Sequence, residues 1–93
     1  MLIKALTDGR VSGTGSLTVG SGILGGILIT TDGVTAVTVL AKRVNSGGKT
    51  IVSVTTAIPM FIAGPFSLED SDTVYYSVSG TGGEAQFYQW VNL

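Results

Sequence analysis

The 93-residue chain has 12% charged residues, a net charge of −1, and neither Cys nor His, whereas ordinary soluble domains carry about 25% charged residues. Disulfides and thiolate or imidazole metal sites are thereby excluded, and five basic residues, dispersed apart from Lys42-Arg43, provide no stripe for a phosphate backbone. One domain over residues 1–93 has a thin core and a folded surface of roughly 5,000 Å², which so few charges cannot cover, so partner subunits are the expected source of added stability.

Val, Ile and Thr contribute 30 residues and Gly 14, a mixture that favours pleated segments and tight turns over helices. Met1 to Leu6 forms the first run, closed by a turn at Asp8-Gly9. The apolar residues of Met1-Leu2-Ile3-Lys4 precede its charge, and Asp8 and Arg10 follow soon after, so no signal peptide is expected. Ser16 to Val19 reads as a short, weakly paired piece. Residues Val11 to Thr31 carry no charge, but Gly, Ser and Thr interrupt them too often for a membrane span.

Ile23 to Thr30 is the first strong strand. Strict alternation puts Ile23, Gly25, Ile27 and Ile29 on one face and Leu24, Gly26 and Leu28 on the other, so it should be central and covered on both sides. Gly25-Gly26 within it signals a bulge or the close approach of another backbone. Asp32-Gly33 predicts a hairpin into Val34 to Ala41. Asn45-Ser46-Gly47-Gly48 is the next turn, followed by a strand over Lys49 to Thr56. Pro59 and Pro65 bracket an extended stretch that cannot be a regular central strand.

Beyond the polar loop Glu69-Asp70-Ser71-Asp72, Thr73 to Ser79 alternates with Val74, Tyr76 and Val78 inward and Tyr75 outward. Gly80-Thr81-Gly82-Gly83 predicts a last hairpin into Glu84 to Val91, with Ala85, Phe87 and Val91 on one face and Tyr88 and Trp90 on the other. The fold expected is all-β, a single small antiparallel β-sandwich of seven or eight strands.

Candidate chemical sites are weak. Gly20-Ser21-Gly22-Ile23-Leu24-Gly25 matches the spacing of a dinucleotide fingerprint, but a strand pattern follows it where that fingerprint needs a helix. Glu69, Asp70 and Asp72 lack the glycine and the distant acidic residue of a calcium loop, so a solvated loop is expected. Ser and Thr hydroxyls have no His to serve as base. No catalytic, cofactor-binding or metal residue is therefore assigned, and no small-molecule substrate, nucleic acid or membrane partner is expected. Tyr88 and Trp90, opposite in face to Phe87, are suited to a protein interface, or with Tyr75 to stacking on sugars.

Ser21-Gly22-Ile23-Leu24-Gly25-Gly26-Ile27-Leu28-Ile29-Thr30, the Asp32-Gly33 turn, Ile58-Pro59-Met60-Phe61 and Tyr75-Tyr76-Ser77-Val78-Ser79-Gly80-Thr81-Gly82 together resemble small tailed-bacteriophage virion proteins. The likeness is greatest to capsid decoration, or cement, proteins. It covers most of the chain as a style of sequence and not as an invariant motif. It implies a sandwich or jelly-roll fold and a noncatalytic role on the outer capsid surface of the virion, with the major capsid protein as partner and a homotrimer as assembly. Similar virion proteins occur at the neck, tail or fibre, where a sandwich module would bind carbohydrate or receptor. No family binding residue transfers by position. The sequence pattern itself nominates Met1, Leu2 and Ile3 at the start and Tyr88, Trp90 and Leu93 at the end, because apolar terminal segments are usually held by something.

Overall fold

The computed structural model describes residues 2–6, 10–69 and 71–91, with the backbone alone at Leu2. Met1, Leu93 and the Asp8-Gly9 turn lie outside them. Eight strands are described: β1 (Leu2–Ala5), β2 (Gly13–Thr18), β3 (Ile23–Thr30), β4 (Val37–Arg43), β5 (Thr50–Thr56), β6 (Met60–Ser67), β7 (Thr73–Ser79) and β8 (Glu84–Val91). They form two antiparallel four-stranded sheets, a front sheet in the order β1-β8-β3-β6 and a back sheet in the order β2-β7-β4-β5.

The pairs β1·β8, β2·β7, β3·β6 and β4·β5 are those of one long antiparallel ribbon folded at the β4–β5 turn. Rolling that ribbon adds β3·β8 and β4·β7 and distributes alternate pairs to the two sheets. This is the jelly roll, an all-β design that limits its free edges by wrapping.

The rolled path overturns two expected hairpins. Asp32-Gly33 and Gly80–Gly83 do turn the chain, with positive φ at Gly33, Gly80 and Gly82, yet β3 and β8 belong to the front sheet and β4 and β7 to the back. Both turns cross between layers about 10 Å apart. Turn chemistry specifies a reversal and not the sheet that receives the next strand. The one turn joining neighbours within a sheet is residues 44–49, between β4 and β5.

The second strand is longer than the expected Ser16 to Val19 piece, pairing with β7 over six residues. Its start is obscured in sequence by Gly13 and Gly15, which occupy inward positions. Gly15 lies opposite Tyr76, and a β-carbon there would stand 2.6 Å from the Tyr76 hydroxyl oxygen, so the aromatic ring fills space that a side chain would take.

Strict alternation also fails in β3. The register shifts between Leu24 and Gly26, so Leu24 turns inward to join Ile27 and Ile29 in the core. The bulge expected from Gly25-Gly26 is present, but one extra residue resets the phase of everything before it. Pro65 lies in β6, an outer strand of the front sheet, where a missing donor costs no ladder bond.

Between the sheets lie Leu24, Ile27, Ile29, Ala85 and Phe87 from the front and Val37, Val39, Ala41, Val52, Val74 and Val78 from the back, with Val19 and Leu68 from connecting segments. Tyr76 packs against this core, its ring 5.7 Å from that of Phe87. The folded surface is 4879 Å², in line with the area scaling for this chain length.

Candidate functional site

Because Ala85 and Phe87 are fully buried between the sheets, the pleat sends Gln86, Tyr88 and Trp90 to the outside of the front sheet. Cross-strand register then sets their neighbours. Ile3 lies opposite Trp90, and Ala5 opposite Tyr88. Tyr88 continues the row to Gly26 and Ala63, while Gln86 continues to Leu28 and Phe61.

Glycines in β3 let flanking side chains lean over the sheet. A β-carbon on Gly25 would stand 2.7 Å from Ile3 Cγ2, and one on Gly26 would stand 2.5 Å from Phe61 Cζ. Ile3 thus reaches inward from the β1 edge and Phe61 from the β6 edge. The Phe61 and Tyr88 rings meet edge to face, with centroids 6.0 Å apart and planes at 73°, a favourable arrangement of aromatic quadrupoles. Ile3 and Phe61 remain 47% and 45% exposed, and Tyr88, Trp90 and Leu28 are half-buried. The front sheet therefore carries an apolar outer layer with water on its far side. Its polar members among the described residues include the Tyr88 phenol, the buried amide of Gln86 and, at one end, Glu84, 3.9 Å from the Arg10 guanidinium.

The outer face of the back sheet has a different chemistry. Thr14 and Ser16 of β2, Ser77 of β7, Thr38 of β4, and Ser53 and Thr55 of β5 project from it, around a half-buried Leu40 opposite Ser77 and Ser53, and the Thr38 and Thr55 hydroxyls are 3.0 Å apart. These groups exchange hydrogen bonds with water at little cost. Tyr75 belongs to this face, opposite Ser16 and Lys42. The sandwich thus separates it from Tyr88 and Trp90, and the three rings do not form one stacking platform.

Of the six sequence-nominated residues, Ile3, Tyr88 and Trp90 are brought together on the front face. Leu2 is described by its backbone in β1, opposite Val91, and Met1 and Leu93 lie outside the described residues. Phe61 and Leu28 were missed, since only cross-strand register places them beside Tyr88.

A second apolar feature lies at one end of the sandwich, where Val34 is 85% and Ile58 66% exposed. Their loops are ordered by short polar bonds. Asp32 Oδ1 accepts from Thr35 N at 2.8 Å and Val34 N at 2.9 Å, and these amides, Thr35 foremost, hold its carboxyl below the usual range. Thr31 Oγ1 donates to Ala57 O at 2.9 Å, tying the two loops together.

At the opposite end Glu69, one of the candidate calcium-loop acids, pairs with Arg43; Asp70 lies outside the described residues. Among the described residues no three acidic side chains converge, no pocket opens, and no helix is long and apolar enough to cross a membrane. The fingerprint-like glycines lead into β3 and not into a helix. No protein-family model, curated protein or solved structure matches the chain.

Proposed function

We propose that the chain is a noncatalytic virion structural protein that binds the outer capsid surface, stabilises the shell and acts as a homotrimer with the major capsid protein as partner. The observation that carries this reading is the contrast between the two outer faces: a mainly apolar, aromatic layer on β1-β8-β3-β6 and a surface on β2-β7-β4-β5 in which Ser and Thr hydroxyls surround Leu40, Lys42 and Tyr75. A molecule with one dry face and one wet face is suited to lying flat on another protein with its back to solvent. The jelly roll adds support by analogy, since capsid domains use it, though lectins do too and fold alone does not set function.

Stabilisation of a shell needs complementary surface, repeated many times, and no reactive group. The test is co-sedimentation with empty shells assembled without this protein, together with the shells' thermal stability. Retention on the shells and a higher disruption temperature are expected. A chain that stays in the supernatant at every concentration refutes the reading. The alternative, a tail or fibre module that stacks on sugars, has lost Tyr75 from its platform; glycan binding abolished by Trp90→Ala would revive it.

A further inference from the structure

We infer that the outer face of β1-β8-β3-β6 is the shell-side surface, and that its occupant is an uncharged, apolar patch on the shell subunit, repeated at the lattice spacing. This rests on the reading of the chain as a shell-binding protein. Four strands about 4.8 Å apart and about six residues of strand give a face of roughly 400 Å². A stable two-body interface buries about 800 Å² on each partner. A second copy seated face to face would therefore form only a weak pair. The same area suffices when contacts are multiplied, because linking several weak sites raises avidity by about 10² to 10⁴.

Charge selects the chemistry of the occupant. The central rows, Ile3 with Trp90, Tyr88 with Gly26, and Gln86 with Leu28 and Phe61, contain one buried amide and no ionisable group other than the Tyr88 phenol, so a charged partner would lose its hydration with no opposite charge to replace it. The side chains are also pre-positioned. Ile3 and Phe61 rest over Gly25 and Gly26, and the Phe61–Tyr88 contact holds both rings, which reduces the ordering entropy lost on docking. Val34 and Ile58 project from two joined loops at one end of the sandwich and lie outside the pleated face.

The experiment uses the full chain and empty shells, with Ile3→Lys and Phe61→Lys on the front face and Ser53→Lys on the back. Ile3 and Phe61 lie on outer strands and are nearly half exposed, so folding should survive the lysines. Each front-face variant is expected to bind shells about tenfold or more weakly, while Ser53→Lys binds like the parent. As an independent readout, Trp90 is the sole tryptophan and can be replaced by 5-hydroxytryptophan, excited apart from shell tryptophans; its quenching by acrylamide should fall on binding. Unchanged binding of both front-face variants, or unchanged quenching, overturns the inference while leaving shell binding intact. A stable micromolar dimer of the free chain that Phe61→Lys dissolves overturns it in favour of a second copy. Failure of the parent chain to bind shells removes the shell-binding reading itself and the inference with it.

Discussion

The Phe61 ring occupies the space above Gly26, so closely that a β-carbon at position 26 would meet its Cζ at 2.5 Å and the Ile62 carbonyl oxygen at 3.0 Å. The ring can swing away, whereas the carbonyl can yield only slightly. Gly26→Ala is therefore expected to cost about 1 kcal/mol, mostly by prising Phe61 from Tyr88. Urea unfolding of a double-mutant cycle tests this: the penalty should shrink in a Phe61→Ala background. An undiminished penalty would assign it to the backbone instead.

Gly64 faces backbone alone. A β-carbon there would lie 2.5 Å from Leu24 O and 2.9 Å from Gly25 O, so nothing can rotate out of the way. Gly64→Ala should cost more than Gly26→Ala, about 3 kcal/mol, with no relief from Phe61→Ala. For a domain of this length that is a large part of the whole stability, and a Tm close to that of the parent would contradict it.

Asp32 titrates below its usual 3.8 because its ionised carboxylate accepts the Thr35 and Val34 amides. A depressed folded-state value means that the stabilising contribution is complete above the usual value and disappears as pH falls through the lowered one. Asp32→Ala should thus lower Tm at neutral pH, and the gap should begin to narrow at about pH 4 and close below the lowered folded-state value. Thermal melts of both proteins from neutral to strongly acidic pH test this, and a gap that stays constant into acid would contradict it.

Arg43 stands opposite Val74 at an inward position of β4. Its Nε is buried with no acceptor among the described residues, and its partner Glu69 is 62% exposed. The ion pair is consequently weak, and Glu69→Gln should cost less than about 1 kcal/mol. Arg43→Met removes the unpaired buried donor and should leave stability equal or higher. Denaturant midpoints decide; a loss of several kcal/mol in Arg43→Met would show the pair to be essential.

Apart from the start of β2, strand positions were legible because Val, Ile and Thr alternate with small or polar residues, and because Pro59 and Pro65 exclude a regular central strand. The outward turn of Tyr88 and Trp90 followed from parity with Phe87 alone. Sheet membership was not legible: Asp32-Gly33 is compatible with a two-residue hairpin or a step between layers, and the choice depends on which distant strand receives β4. The phase of β3 was hidden for a related reason, since a glycine pair announces a bulge without saying which residue is extra. Phe61 could not be joined to Tyr88 before β6 was known to pair with β3 and β3 with β8.

The rolled ribbon has a kinetic consequence. Loop-closure entropy favours the local β4–β5 turn and penalises most the meeting of β1 with β8, the partners farthest apart along the chain. The front face, to which both contribute, is then among the last surfaces completed. Partly folded chains would lack the Ile3–Trp90 row, so the topology itself withholds the apolar layer until the roll is closed: only a finished molecule displays that face.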